Sequence, residues 1–249
     1  MSVKQLLLYP VGNTDACRYA AHYLHQAGIP VVDHPTPEVT HLLLDVPSFR
    51  EDGNLRDGTN PSRILERLPK SITVIGGNLE IPLLENYSTI DLLQHPHYLA
   101  QNAAITADCA LRLVAPLLEG TFADSPSLII GWGRIGKCIA KQAKNLGVPV
   151  TVAVRKESDY AILRALGYNV LYLHEIPSHL PEFKVLFNTV PSPILAESVV
   201  SKYPDLHKID LASCTGIEGN DVIQAKGLPG RYAPRSSGRL ITESILQLI

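Results

Sequence analysis

Short runs of aliphatic and β-branched residues alternate along the chain with longer stretches in which apolar residues recur every three or four positions. The first pattern predicts buried strands and the second predicts amphipathic helices, so their alternation indicates βαβ units and parallel sheets. Up to about Gln94, the predicted strands are KQLLLYP, PVVDH, HLLLDVP and SITVIGG, and the predicted helix is DACRYAAHYLHQAG. The polar segment from Phe49 to Pro61 is rich in turn residues and is expected to be an exposed loop.

The second part of the chain repeats the alternation in the order of a doubly wound domain. Its predicted strands are SLIIGWG, PVTVAVR, NVLYL, KVLFNTV and KIDLAS, and its predicted helices are RIGKCIAKQAKNLG, SDYAILRALG and PILAESVVSKY. Apolar residues at helical spacing between Asn102 and Glu119 predict a long helix that bridges the two parts, with a kink at Pro116. The tail SSGRLITESILQLI is expected to be an amphipathic helix that returns to the first domain.

The predicted fold class is therefore α/β, with two Rossmann-like domains that contain parallel sheets and are joined by a long interdomain helix. A chain of 249 residues is long enough for two modest domains. We expect an N-terminal substrate or assembly domain over 1–100, the interdomain helix over 101–120, a nucleotide-binding domain over 121–234 and the C-terminal helix over 235–249.

Composition narrows the classes of function. Hydrophobic residues make up 45% and charged residues 18% of the chain, which is typical of a globular enzyme. The net charge of -2 gives no cationic footprint for nucleic acid or anionic lipid, so we expect a small-molecule ligand, no nucleic-acid partner and no membrane partner. The N-terminal segment MSVKQLLLYPVG is too short in apolar residues for a signal peptide, which predicts a cytoplasmic protein.

Neither the cysteines nor the histidines have the spacing of a metal site. The nine histidines form no HxxxH or HxH group. The four cysteines lie far apart without a CxxC pair, and we expect them to be reduced and the protein to bind no metal. These cysteines are Cys17, Cys109, Cys138 and Cys214.

A GxGxxG motif follows the apolar strand of LIIGWGRIG and opens the next predicted helix. Gly131 would allow a tight turn, Gly133 would let the backbone approach a pyrophosphate, and Gly136 would let helix and strand pack closely. The strand, turn and helix context favours a dinucleotide site over a purely structural glycine turn. The predicted site also includes the residues between the glycines, which are Trp132, Arg134 and Ile135.

Two cations stand where an NAD-binding domain usually carries an acid. Arg155 and Lys156 end the second strand, about twenty residues beyond the motif, and can neutralise a 2′-phosphate. This position favours NADP over NAD as the cofactor. Two alternatives stay open: the pair could be a solvated surface pair, and the neighbouring Glu157 could serve a ribose.

Polar residues also follow two later strands, at the edge where doubly wound sheets bind ligands. We expect them to line the nicotinamide side of the cleft, although Asn188 and Asp210 could instead cap helices or bind the backbone of turns. The candidates are Asn188, Thr189, Val190 and Pro191 after KVLFNTV, and Asp210, Ala212 and Ser213 after KIDLAS.

Five segments, in this order along nearly the whole chain, resemble the family of the dipicolinate synthase A-subunit. They are IDLLQHPHYLAQNAAITAD, LIIGWGRIGKCIA, FNTVPSPIL, IDLAS and GLPGRYAPRSSGRLI. The resemblance implies oxidation of dihydrodipicolinate to dipicolinate with NADP, together with a flavoprotein-like B subunit, in sporulating bacteria.

The chain departs from this family in two places. The interdomain segment from Asn102 to Cys109 lacks the family's Pro and Gly and has the shorter acid Asp108 in place of Glu. Between Ser213 and Gly227 the chain is shorter than usual, so a crossover helix is expected to be missing and DVIQAKG to form a strand.

The hypothesis for catalysis places a substrate dicarboxylate between the domains, where a hydride passes to the nicotinamide. Arg235 would bind a substrate carboxylate in a bidentate manner, unless it only caps the last helix. Asp108 and His97 are candidates for acid–base chemistry by neighbourhood alone. The hydroxyl groups expected to assist Arg235 belong to Ser236, Ser237 and Thr106.

Two other functions remain open at this point. The chain could be a catalytically inactive NADP-binding scaffold or sensor subunit, or a reductase of another small keto or imino carboxylic acid. A hydrolase and a kinase are disfavoured because the chain has neither GxSxG nor GxxxxGK[ST]. We also expect a homo-oligomer.

Overall fold

The computed structural model describes residues 6–249, so Lys4 and Gln5 of the predicted first strand lie outside the described residues. The chain divides into two compact units. One contains the described chain up to Asn102 together with Pro229–Ile249, and the other contains Ala103–Leu228. The division falls inside the longest helix.

Ten strands and nine α-helices follow one another in residues 6–249. The strands are β1 (Leu8–Pro10), β2 (His41–Leu43), β3 (Thr73–Gly76), β4 (Ser88–Asp91), β5 (Ser127–Ile130), β6 (Val150–Val154), β7 (Asn169–Tyr172), β8 (Val185–Asn188), β9 (His207–Asp210) and β10 (Val222–Gln224). The helices are α1 (Asp15–Gln26), α2 (Pro61–Leu65), α3 (Pro96–Val114), α4 (Arg134–Asn145), α5 (Glu157–Ala165), α6 (Ile176–His179), α7 (Glu197–Val200), α8 (Leu228–Tyr232) and α9 (Pro234–Leu248).

Both sheets are parallel, and the predicted fold class is confirmed. The first unit has a four-stranded sheet in the order β1-β2-β3-β4, and the second has a six-stranded sheet in the order β10-β9-β8-β5-β6-β7. In the second sheet the chain moves from β5 outwards through β6 and β7, then returns to β8 on the other side of β5. This reversal creates the switch point at which doubly wound sheets bind ligands.

The two strands at the switch point have the burial that their sequence pattern predicts. All four residues of β5 and all four of β8 are buried. Strands covered on both faces need continuous apolar character, which is the pattern of SLII and VLF. The edge strand β4 shows the opposite, because its residues are exposed or half-buried, and the hydrophobic pattern did not predict it.

Three predicted elements differ from the structure, two of them at isolated β-bridges and one at a proline. PVVDH forms only an isolated bridge between Leu8 and Val31. The helix predicted over PILAESVVSKY shrinks to α7, since Leu195 pairs with Ile217 in a bridge. The long helix begins at Pro96 and ends at Val114 in a 3-10 turn that contains Pro116, because proline lacks the N–H that would continue the helix.

Two further predictions are confirmed. DVIQAKG contains β10, which pairs with β9 in parallel register. The segment from Phe49 to Pro61 is largely exposed and contains no regular strand or helix before α2, although Leu55 within it is buried.

Within the first unit, α9 packs closely against α1. A Cβ atom on Gly238 would lie 2.8 Å from the carbonyl oxygen of Ala16 and 2.9 Å from the amide nitrogen of Ala20. Thr242 Oγ1 donates to the carbonyl of Ala20 at 3.2 Å. Small residues at this crossing therefore let the two helix backbones approach each other.

Candidate functional site

The loop between β5 and α4 is shaped by two of the three motif glycines. Gly131 has a φ of +101°, and a Cβ atom there would lie 2.7 Å from Thr189 Oγ1 and from Val190 Cγ2. A Cβ atom on Gly136 would lie 2.2 Å from the carbonyl oxygen of Gly131. These two positions therefore require glycine for the turn and for helix packing.

Gly133 has a different environment. It precedes α4 at the N-cap position, where it has no side chain that could bind the first N–H groups of the helix. Apart from the atoms of Gly133 and its two chain neighbours, no atom lies within 4 Å of the position that a Cβ would take. The N-terminus of α4 thus opens onto free space, which suits an anionic group such as a pyrophosphate.

A cleft of about 570 Å³ adjoins this loop at the carboxyl ends of the strands. Four neighbouring strands contribute to its walls through the residues that follow them, which are Trp132, Arg155, Leu173 and Val190. The cleft therefore lies at the switch point of the sheet, and its size fits part of a dinucleotide.

The predicted cations lie in this cleft. Arg155 and Lys156 are exposed, and neither side chain forms a hydrogen bond or ion pair within residues 6–249. In the same part of the chain, Asp159 is the acidic residue that lines the cleft. The cleft consequently combines two available positive charges with a single carboxylate.

Glu157 is engaged elsewhere. Its carboxylate accepts a hydrogen bond from the hydroxyl of Tyr172, the last residue of β7. This contact raises the pKa of Tyr172 to about 12. The ring of Tyr172 stacks on Tyr160 at a centroid distance of 4.6 Å, and its backbone N–H donates to Glu175 at 2.6 Å.

Trp132, inside the glycine motif, has a half-buried indole in the wall of the cleft. Its ring packs edge-on against the Tyr168 ring with the two centroids 5.7 Å apart, and Lys137 Nζ lies 5.7 Å from the indole centroid. Arg134 is exposed in the first turn of α4, and Ile135 is half-buried. The motif thus places a fluorescent side chain next to the predicted site.

Asn188 and Asp210 form a buried network. Asn188 Nδ2 donates to Asp210 Oδ1 at 2.8 Å and to the carbonyl of Val190 at 3.1 Å. Asp210 also accepts from the amides of Ala212, Gly216 and Ile217. Both side chains therefore support the loops after β8 and β9, and their contact with a ligand stays a prediction.

The other predicted residues after these strands have distinct positions. Thr189 Oγ1 donates to the carbonyl of Ile130 at 2.8 Å, which joins the loops after β5 and β8. Val190 and Pro191 line the cleft. Ser213 is exposed and Ala212 is buried.

The predicted catalytic residues divide between the two units. Thr106 is buried on α3. Asp108 is exposed, and its Oδ2 lies 3.8 Å from Arg112 Nη1. Asp108 lines a separate groove of about 360 Å³ in the second unit, which shares no residue with the cleft. His97 is exposed at the start of α3, in the first unit.

Arg235, Ser236 and Ser237 lie in the first turn of α9. The Arg235 guanidinium lies 5.6 Å from the ring centroid of Tyr19 and is exposed. Ser236 is exposed, whereas Ser237 is buried and donates to the carbonyl of Ala233 at 3.1 Å. Arg235 and Ser236 are thus the members of this group that solvent can reach.

Sequence reasoning missed Asp159, Leu173 and Ile194, which line the cleft, and Tyr172, which binds Glu157. Leu173 and Tyr172 could have been found by treating the end of NVLYL like the ends of the other strands.

No group of His, Cys, Asp or Glu residues in the described part of the chain could hold a metal ion. Among residues 6–249, none of the helices combines the length and apolar character needed to span a bilayer.

No family model matches the chain. The dipicolinate synthase A-subunit of Bacillus subtilis (strain 168) is 26% identical to it over 200 residues, which cover 74% of this chain and 67% of the relative. The crystal structure of the dipicolinate synthase A-subunit from Bacillus halodurans superimposes with a TM-score of 0.82 at 20% identity, covering 100% of this chain and 98% of that one. This chain is similar to the dipicolinate synthase A-subunit. The predicted family resemblance is confirmed.

The architecture of these dipicolinate synthase relatives is shared with a dehydrogenase. An L-alanine dehydrogenase superimposes with a TM-score of 0.68 at 16% identity, covering 98% of this chain and 80% of that one. At this identity the likeness shows the fold.

Proposed function

We propose that this chain binds NADP in the cleft beside Gly133 and oxidises dihydrodipicolinate to dipicolinate as an oxidoreductase subunit. The observation that carries the proposal is the open space at Gly133, which directly follows Trp132 in the wall of a cleft with two available cations. When bound, NADP supplies the acceptor for a hydride from the dihydropyridine ring, while the ring loses a proton and becomes aromatic.

The residues of the second unit would bind and orient the dinucleotide. The first N–H groups of α4 would hold the pyrophosphate, and Arg155 with Lys156 would hold the 2′-phosphate. Val190 and Pro191, in the wall of the cleft, would exclude water from the bound dinucleotide. Aromatisation of the ring is favourable, so orientation would supply much of the rate.

Arg155 offers the sharpest test of NADP against NAD. Replacing Arg155 and Lys156 by Ala should weaken NADPH binding by about 10- to 100-fold, because two exposed and solvent-screened cations together contribute roughly as much as one charge-assisted hydrogen bond, about 1.5–3 kcal/mol. NADH binding should change by less than about threefold. Dissociation constants from fluorescence titration measure both, with Arg164→Ala, an exposed cation on α5, as the control. Equal losses for the two dinucleotides would contradict the 2′-phosphate contact.

Arg235 is the proposed ligand of a substrate carboxylate. Arg235→Met should raise the Michaelis constant for dihydrodipicolinate by about tenfold, since the bidentate pair is lost. Arg239→Met is a matched control, because Arg239 lies one turn further along α9 and has the same type of contact, 6.0 Å from the Tyr23 ring centroid. An unchanged Michaelis constant in the Arg235 variant would remove this residue from the site.

Assembly belongs to the same proposal. The resemblance to dipicolinate synthase implies that a flavoprotein-like B subunit takes part in the reaction, and a homo-oligomer is proposed for this chain. A catalytically inactive NADP-binding scaffold is the second candidate, and it is favoured because Asp108 lines a separate groove that shares no residue with the cleft. Tight NADPH binding without turnover, in the presence of a B subunit, would support the scaffold.

A further inference from the structure

Glu157 does not line the cleft to which residues on both sides of it in sequence contribute. Lys156 and Asp159 both contribute to the cleft wall, but Glu157, which lies between them in sequence, does not. Its carboxylate instead binds the hydroxyl of Tyr172. Glu157 lies two residues after Arg155, so a free carboxylate at this position could reach the ribose end of a bound dinucleotide.

Tyr172 is held in place by several contacts. Tyr172 in β7 pairs with Val154 in β6, so the end of β7 lies beside the segment that begins with Arg155. Its ring stacks on Tyr160 and, at 5.7 Å, on His174. A donor that is fixed by stacking and by the sheet can hold a carboxylate in one direction at little further entropic cost.

We infer that Tyr172 is a positioning residue that sets dinucleotide specificity by holding the Glu157 carboxylate away from the ribose. A carboxylate near the ribose accepts its hydroxyl groups and repels a 2′-phosphate, and both effects favour NAD over NADP. With Glu157 bound to Tyr172, Arg155 and Lys156 meet the 2′-phosphate without that competing anion. This inference rests on the proposed binding of NADP.

The test compares NADPH and NADH binding in the wild-type protein and four variants. Tyr172→Phe keeps the stacked ring and removes only the hydroxyl, so it should lower the preference for NADPH over NADH by about tenfold. The double variant Tyr172→Phe with Glu157→Gln should restore the preference, because the released group no longer carries a charge. Tyr160→Phe, which removes a hydroxyl from the same stack without touching the Glu157 bond, should leave the preference unchanged.

The outcomes distinguish a failure of this inference from a failure of the proposed function. A Tyr172→Phe protein that keeps the wild-type preference overturns the inference alone, and so does a double variant that shows no rescue. If the fourth variant, Asp159→Asn, shifts the preference while Tyr172→Phe does not, then Asp159 is the carboxylate that contacts the ribose, and the inference is wrong. A wild-type protein that binds neither dinucleotide overturns the proposed function and this inference together.

Discussion

Replacement of Gly133 by Val is expected to weaken dinucleotide binding by at least about 100-fold without destabilising the protein. The valine side chain would occupy the open space at the N-terminus of α4, where the pyrophosphate is proposed to bind. Losing two charge-assisted hydrogen bonds costs about 3 kcal/mol or more, and each 1.4 kcal/mol corresponds to a factor of about ten. Fluorescence titration with NADPH measures the loss.

Stability should be unaffected because the backbone at Gly133 has φ -78° and ψ -171°, an extended conformation that any residue can adopt. Gly131 and Gly136 could not serve for this test, since a side chain there would collide with neighbouring atoms. Gly230→Val is the matched control, because a Cβ at Gly230 also meets no atom within 4 Å. A Gly133→Val protein that binds NADPH like the wild type would place the pyrophosphate elsewhere.

Asp210→Ala should lower the free energy of unfolding of the second unit by about 3 kcal/mol or more. The carboxylate is fully buried and accepts hydrogen bonds from Asn188 Nδ2 and from the amides of Ala212, Gly216 and Ile217. Its removal leaves several buried donors without an acceptor, and each such donor costs about 1–3 kcal/mol. Urea unfolding followed by Trp132 fluorescence reports on this unit.

The control for this change is Asp205→Ala, an exposed aspartate in the turn before β9. Its effect on the unfolding free energy should stay within about 0.5 kcal/mol. If Asp210→Ala were equally mild, the network between the loops after β8 and β9 would not stabilise the edge of the cleft, and the structural role of Asp210 would have to be abandoned.

The second sheet could be predicted from sequence because its central strands are buried on both faces. The apolar runs of β5 and β8 indicate buried strands, and the glycines after β5 indicate the turn that follows it. β4 gave no such signal, since its polar residues belong to an edge strand with solvent access. The helix predicted before Val200 failed for a tertiary reason, because Leu195 pairs with Ile217 instead of continuing a helix.

The candidate site was predictable where it follows strand ends and unpredictable where it depends on contacts between distant residues. Trp132, Arg155 and Val190 follow strands, and the structure places them in one cleft. The bond between Glu157 and Tyr172 joins residues 15 positions apart that meet only because β6 and β7 pair. Hydrophobic periodicity contains no information about such a contact, so Glu157 looked available for a ribose.

Titration of the wild-type protein with NADPH and with NADH, followed by fluorescence, is the measurement that decides whether the cleft is a dinucleotide site. The chain contains one tryptophan, Trp132, which lies in the wall of the cleft. We expect saturable quenching by both dinucleotides, with tighter binding of NADPH, because Arg155 and Lys156 are available for its 2′-phosphate. The absence of saturable quenching by either dinucleotide, confirmed by calorimetry, would contradict the proposed cofactor site and with it the proposed oxidoreductase function.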